Sequence, residues 1–228
     1  MIIMMNSGQG AVGIDLASVD HLLTTTRAVR KRIDVHRPVA REVVHECLQL
    51  ASQAPSGGNG QRWRWVVVAD PDKKKLVAER YAESFERYIA PKRAILQPGD
   101  VRSERMLASS TYLADHMAEM PLLVIPCTLD QLAPDANSEK MASLYGGIFP
   151  AIWSFQLALR SRGLGSALTT LHLDFEREIG EVLGIPDTVT QVALLPVGYY
   201  TGDDFKPAPR RATEELTYWD GWKSVEPS

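Results

Sequence analysis

Apolar and polar positions along the chain predict helices and strands that largely alternate. Where apolar residues recur every three or four positions, the spacing indicates an amphipathic helix. The helices predicted in this way are 19–30 with Ser18 as the N-cap, 41–53, one opened by Pro71, and 175–183 closed by Gly184. Short apolar and β-branched runs predict strands instead, at 63–69, 121–127, 166–171 and 189–197.

One further segment, 144–159, is apolar on nearly every face and is followed by Gly163. It carries Pro150, Ser154 and Gln156, and it is shorter than the roughly 20 residues that cross a bilayer. We therefore predict a helix buried in protein and no membrane partner. A second subunit covering one of its faces would complete that burial, which is a first indication of a homodimer.

Strands separated by helices predict an α+β or α/β three-layer domain. The chain shows no internal repeat and no linker, so we expect a single domain over 18–228, preceded by a flexible tail at 1–17. Its end, from about 198, has the composition of an extended arm. The segment 81–105, which Pro91 and the turn at 97–100 interrupt, is a candidate lid whose Phe85, Tyr88 and Arg93 are candidate substrate contacts. A plain packed excursion is an equal alternative for this segment.

Composition narrows the function. A formal net charge of −3 disfavours nucleic acid as a partner. The two cysteines, Cys47 and Cys127, lie in apolar runs and are predicted to be buried free thiols, as in a reducing cytoplasm. The N-terminus lacks the basic start of a signal peptide. The five histidines are scattered without metal-site spacing and are predicted to be surface or capping residues, so we expect no metal and no catalytic side chain.

Four polar clusters could carry chemistry. Residues 24–32 (TTTRAVRKR) place Arg27 and Arg30 on one face of the predicted helix, where two guanidinium groups can grip one anion. Residues 54–61 (APSGGNGQ) offer small residues and side-chain amides to a flat heteroaromatic ligand. The others are 160–170 (RSRGLGSALTT), with Gly-x-Gly between helix and strand, and 206–211 (KPAPRR). Each also has an ordinary interpretation, as solvated charge, a turn or tight packing.

The order of these clusters resembles the nitroreductase family. The resemblance rests on RAVRKR, APSGGNGQRW leading into WVVV, ALRSRGLGSALTTL, LPVGYY and KPAPRRATEEL, and it covers about 22–222. It implies a three-layer α+β fold with a mixed central sheet, an intertwined homodimer, and FMN bound at the subunit interface. The residues that the resemblance assigns to FMN are Arg27, Ala28 and Arg30, then Pro55, Ser56, Gly57 and Asn59, then Thr169, Thr170 and Leu171, and finally Lys206 and Arg210.

The implied roles follow the chemistry of FMN. The arginines with Lys206 would bind the phosphate, the loop near Asn59 would lie beside the ring, and Thr169–Leu171 would line the ring near its reactive nitrogen. The implied activity is a ping-pong oxidoreductase that passes hydride from NADH or NADPH through FMN to an organic acceptor such as a nitroaromatic, quinone or enone. A non-catalytic flavin-sequestering protein of the same fold is the alternative, and reduction of halogenated aromatics is a variant.

Four positions depart from the family pattern. Ala28 replaces a serine between the two arginines, and Thr26 replaces an arginine before them. Arg62 stands where a proline precedes Trp63, and Ser154 stands where an asparagine is common. These departures indicate a divergent subgroup.

Overall fold

The computed structural model describes residues 13–97 and 99–222. Most of the predicted tail at 1–17 lies outside the described residues. The described residues divide into two compact units, one within 26–203 and the other formed by 13–25 with 204–222. The expectation of one domain over 18–228 stays a prediction.

The smaller unit contains α1, which spans Leu16–Thr25. The larger unit contains the other helices, which are α2 Arg41–Ala51, α3 Pro71–Ala94, α4 Val101–His116, α5 Ser138–Ser161 and α6 Glu176–Leu183. Its strands are β1 Trp63–Val68, β2 Leu122–Thr128, β3 Leu164–Ser166, β4 Thr190–Gln191 and β5 Leu195–Tyr199.

The five strands form one sheet in the order β1-β2-β5-β3, and β4 pairs with β2 beside β5. Each pairing among the described strands is antiparallel, so the expectation of a mixed sheet is wrong in that detail. The α+β class is confirmed. β2 is buried along its whole length, which explains why its sequence, LLVIPCT, does not alternate between apolar and polar residues.

The core of the larger unit lies where α5 and α2 pack on the sheet. α5 contributes Ile148, Ile152 and Phe155, each at most 1% exposed, and α2 contributes Val44 and Cys47. Both cysteines are buried and free, as predicted. Burial raises the pKa of the Cys127 thiol to about 12, so this thiol is not ionised at neutral pH.

The first predicted helix, 19–30, is wrong at both ends. α1 starts earlier, where Asp15, not Ser18, accepts hydrogen bonds at its N-terminus, including one from the Ala17 amide at 3.2 Å. It ends at Thr25, whose hydroxyl donates to the His21 carbonyl at 2.6 Å. Residues 26–30 are not helical, because the Val29 amide donates instead to Ser166 on β3, at 2.9 Å.

The segment 81–105, predicted to be interrupted by Pro91 and by the turn at 97–100, belongs to two regular helices, α3 and α4. Pro91 lies inside α3, three residues before its end, and does not interrupt it. The chain breaks only between α3 and α4, where Asp100 caps α4 by accepting from the Ser103 amide at 3.1 Å. Phe85 is 1% exposed and belongs to the core, so its predicted substrate contact is wrong.

Two predicted strands are shorter than expected. The run 189–197 divides into β4 and β5, with residues 192–194 between them outside regular strand structure. The run 166–171 contributes only the end of β3, followed by a single bridge between Thr169 and Leu194. A 3₁₀ turn over Leu171–Phe175, called the 171–175 turn below, then leads into α6, which Gly184 ends in the left-handed conformation as predicted.

The predicted buried helix corresponds to α5, which has 24 residues, so the argument that it is too short to cross a bilayer is wrong. It is long and apolar enough to do so, and of the described helices it alone passes that test. Its position explains the composition, because one side packs in the core of the larger unit. The other side exposes Met141, Tyr145, Phe149 and Trp153, at a spacing of four residues.

Candidate functional site

The segment 26–33 lies against the end of the sheet at β3. Besides the Val29 amide, Ile33 forms a bridge with Tyr200 just beyond β5. Gly165 on β3 makes this approach possible, since a Cβ placed there would lie 2.7 Å from Val29 Cβ. The tight packing expected at this glycine is present, but its partner is the 26–33 segment and not a helix. The same expectation for Gly163 is wrong, because an added Cβ there would meet nothing within 4 Å; Gly163 instead has a φ of 75°.

Replacing Gly165 with alanine is therefore expected to displace the 26–33 segment and to lower the free energy of unfolding by about 1–3 kcal/mol through overpacking. Thermal and urea unfolding would measure the loss. A Gly146→Ala control, where a Cβ would meet nothing within 4 Å, should not be destabilised. Val29→Gly removes all three clashing atoms, so the double variant Gly165→Ala/Val29→Gly should be less destabilised than the two single losses added together. Simple additivity would contradict this packing explanation.

Arg30, Tyr81 and Thr169 come together beside this segment. The Thr169 hydroxyl donates to the Tyr81 hydroxyl oxygen at 3.4 Å. Burial raises the pKa of Tyr81, while the Thr169 hydrogen bond and then the positive charge of Arg30 act to lower it. The half-buried Arg30 guanidinium makes no hydrogen bond or ion pair with any residue in the described ranges. This is a cation placed beside two hydroxyl groups.

The other residues of the predicted phosphate site are arranged differently from the helical expectation. Arg27 and Ala28 are exposed, and the idea that Arg27 and Arg30 share one helix face is wrong because 26–30 is not helical. Arg32 is used structurally: its Nε donates to the Thr201 carbonyl at 2.6 Å, and its guanidinium lies over the Tyr200 ring. Arg30 is thus the cation of this segment that geometry sets beside Thr169.

Lys206 and Arg210 belong to the smaller unit. Both are exposed there, and the Arg210 guanidinium donates to the Pro209 carbonyl at 3.0 Å. In the same unit His21 on α1 pairs with Asp204 at 2.6 Å, which ties the arm to that helix. The participation of Lys206 and Arg210 in an anion site stays a prediction.

The loop after α2 holds strained backbone. Pro55 is exposed, Ser56 half-buried, and Gly57–Asn59 forms a 3₁₀ turn. Asn59 and Gln61 have φ values of 53° and 46°, which are uncommon for residues other than glycine. Their side chains support each other, since Gln61 Nε2 donates to Asn59 Oδ1 at 2.9 Å. Such strain is concentrated at ligand sites in proteins.

A cleft of about 310 Å³ opens between this loop and the N-terminal half of α5. It is lined by Ser56, Gly57, Gly60 and Gln61 from the loop and by Glu139, Lys140, Ser143 and Gly147 from α5. Arg62, the departure from the family proline, lies at its wall and forms an ion pair with Asp130 at 2.5 Å. This pair joins β1 to the chain beyond β2 and gives Arg62 a structural role.

The loop residues 55–59 lie beside α5 at one point along the helix, and the residues around Thr169 and the 26–33 segment lie beside it at another. Gly147 is the last α5 residue in the cleft, whereas Gln156 donates to Ser166 Oγ at 3.0 Å beneath the 26–33 segment. Nine residues of helix separate them, which is about 13 Å along the axis. Gln156 is a buried polar side chain of α5 in this region, whereas Ser154, the departure from the family asparagine, is half-buried.

The sequence patterns missed two residues near Thr169. Tyr81 was assigned only to the edge of a lid, because a tyrosine on an amphipathic helix gives no signal for a site. His172 was predicted to be a surface or capping residue, but it is fully buried in the 171–175 turn. Burial lowers its pKa to about 4.

Comparison with known proteins decides the family, since the model of the nitroreductase family matches residues 25–199. The chain belongs to the nitroreductase family. It is similar to iodotyrosine deiodinase 1 of Mus musculus, with 29% identity covering 86% of this chain and 67% of that protein. It is also similar to an NADH dehydrogenase of Thermus thermophilus, with 27% identity covering 87% and 97% of the two chains.

A solved structure of oxidised iodotyrosine deiodinase bound to FMN and 3-iodo-L-tyrosine has the same fold. It superposes with a TM-score of 0.62 at 23% identity and covers 84% of this chain and 94% of that one. Together with the family match, this confirms the nitroreductase-like α+β fold.

Proposed function

We propose that this nitroreductase-family protein binds FMN and is an oxidoreductase that takes hydride from NADH or NADPH and reduces an organic acceptor. FMN, when bound, would supply the hydride chemistry, and the protein would supply its position and charge. The proposed ligands are those named from the sequence: Arg27, Ala28 and Arg30; the loop Pro55, Ser56, Gly57 and Asn59; Thr169, Thr170 and Leu171; and Lys206 with Arg210. Its two buried free thiols suit the cytoplasm.

One observation carries the proposal. Arg30 is half-buried and lacks a carboxylate partner among the described residues, and it lies beside Thr169 at the start of the proposed ring-binding segment. A partly desolvated guanidinium without a counter-ion is unfavourable, and a phosphate group matches its donors. The residues present therefore fit the tail of FMN.

We further propose that two copies of the chain complete each flavin site. The loop cleft and the Arg30 site are about 13 Å apart along α5, so one flavin ring system beside Thr169 would be served by the 55–59 loop of a second copy. The exposed apolar residues of α5 would be covered in such a dimer. The relatives are consistent with the chemistry, because one is named as a deiodinase with FMN and another as an NADH dehydrogenase.

The phosphate assignment is tested by Arg30→Ala. We expect the purified wild-type protein to be yellow, and the variant to lose FMN at least tenfold more readily on dialysis, since a charge-assisted pair contributes about 1.5–3 kcal/mol. Absorbance at the flavin maxima per chain measures retention. The matched control, Arg177→Ala, removes an exposed arginine of α6 and should retain FMN as wild type does. Equal retention in Arg30→Ala would contradict the assignment.

Anaerobic addition of NADH and NADPH separates the enzyme from a flavin-sequestering protein. Prompt bleaching of the flavin supports the oxidoreductase, and a flavin that stays oxidised supports sequestration. A panel of nitroaromatics, quinones, enones and halogenated phenols, added to the reduced protein, would then identify the acceptor class by the rate at which the yellow colour returns.

A further inference from the structure

α3 packs along the 171–175 turn, and its contacts mark one continuous face. At one end Tyr81 lies 3.4 Å from the Thr169 hydroxyl, and at the other Arg87 lies 3.8 Å from Asp174. Ser84 is three residues from each of these α3 positions. Because residues three apart on a helix share a face, Ser84 lies on the face of α3 that packs against the 171–175 turn.

His172 is the second residue of that turn. Its ring is 0% exposed, and neither nitrogen has a hydrogen-bond partner among the described residues. Ser84 is 1% exposed, and its hydroxyl likewise has no partner in the described part of the chain. Buried polar groups are nearly always paired, with protein or with an ordered water, so two such groups in one packed interface call for an explanation.

The chemistry of the two groups is complementary. Burial lowers the pKa of His172 to about 4, and the ring is therefore neutral at neutral pH. A neutral imidazole carries one donor and one acceptor nitrogen, and a hydroxyl group both donates and accepts. Ser84 and His172 can thus pair without introducing a buried charge.

The position of the turn connects this pair to the proposed flavin site. On the N-terminal side of Thr170, the backbone is fixed at Thr169, which forms two backbone hydrogen bonds with Leu194, at 3.0 and 2.8 Å. Downstream of Leu171, His172 is the next residue anchored in the interior. The backbone of Thr170 and Leu171 therefore lies between two anchors, and the second depends on His172.

We propose that one buried water joins the Ser84 hydroxyl to the His172 ring in a hydrogen-bonded couple, and that this couple fixes the backbone of Thr170 and Leu171 beside the flavin ring. The role of this couple beside the flavin rests on the proposed function. The hydrogen bonding between the two residues does not depend on it. Both are positioning residues, since they act through the backbone and touch neither flavin nor substrate.

The couple is tested first without flavin. Nitrogen NMR of histidine-labelled, flavin-free protein, with the His172 signals assigned by their loss in His172→Gln, should show a ring N–H that exchanges slowly with water. Ser84→Ala should shift the His172 ring signals and accelerate that exchange at least tenfold. Ser110→Ala, which removes a hydroxyl bonded to its own helix in α4, should leave them unchanged. Unchanged His172 signals in Ser84→Ala would overturn the couple.

The second arm uses protein loaded with FMN. Ser84→Ala and His172→Leu should each slow the reduction of the flavin by NADH or NADPH about tenfold or more, because small displacements at a reacting centre are costly, while the FMN dissociation constant changes less than threefold. The double variant should be no slower than the slower single variant, and His172→Gln should recover part of the rate. Independent, multiplicative effects would overturn the proposal.

The two arms separate failure of this inference from failure of the proposed function. A wild-type protein that binds no FMN refutes the proposed function, while the NMR arm still decides whether the couple exists. If His172→Leu does not fold, Ser84→Ala decides both arms by itself.

Discussion

Replacing Trp153 with glutamate is expected to convert the proposed dimer into a monomer that retains no FMN. Trp153 is 44% exposed on the single chain and continues the stripe of Met141, Tyr145 and Phe149 along α5. If a second copy covers this stripe, each subunit of the variant dimer buries the new glutamate carboxylate without a partner. The expected cost is about 3 kcal/mol or more per buried charge, which exceeds the effect of most surface substitutions.

Light scattering after size exclusion would measure the mass, and flavin absorbance per chain would measure retention. Val182→Glu is the matched control, because it places the same charge on a partly exposed apolar residue of α6 away from the stripe. It should remain dimeric and yellow. A Trp153→Glu protein that stays dimeric with full flavin would exclude this face of α5 from the interface.

The elements that the sequence predicted correctly are those with a single strong determinant. α2 has its apolar residues on one face. β2 is a nearly continuous apolar run, and β1 is apolar except for Arg64. α6 ends at a glycine that adopts φ 69°, a conformation that disfavours other residues. In each of these cases local preference and tertiary packing agree.

The incorrect boundaries are those where tertiary contacts outweigh local preference. Residues 26–30 have a helical composition, but the Val29 amide pairs with β3 because Gly165 admits the chain there. Pro91 suggested a break, yet it falls so near the end of α3 that little of the helix depends on the hydrogen bond it removes. No local pattern contains this information, since the partner is distant in sequence.

The candidate site also contains some residues that a local sequence pattern indicated and others that only tertiary packing reveals. Small, strained and cationic residues gave signals in the sequence, and the structure brings Arg30 and Thr169 together through Tyr81. No sequence pattern indicated Tyr81, Ser84 or His172, because their roles come from the packing of α3 on the 171–175 turn. Histidines are intermediate in burial among the amino acids, so the complete burial of His172 is visible only in three dimensions.

That burial makes the protein acid-sensitive. An unfolded chain binds a proton at His172 near the ordinary histidine pKa of about 6.5, whereas the folded protein does so only near 4. Between these values the unfolded state holds more protons, so the free energy of unfolding falls as the pH falls through that window. The difference corresponds to about 3 kcal/mol, which is fully present above pH 6.5 and lost below pH 4.

Urea unfolding followed by circular dichroism at pH 7.5 and 4.5 would measure this contribution. Wild type is expected to lose about 2–3 kcal/mol of unfolding free energy between the two conditions from His172. His172→Phe keeps an aromatic ring in the core but removes the titrating group, so its loss should be smaller by that amount. Asp15 and Asp100, whose pKa values hydrogen bonds lower, add their contribution only at more acidic pH and do so equally in both proteins. Parallel pH profiles in wild type and His172→Phe would mean that the buried ring is not the acid-sensitive group.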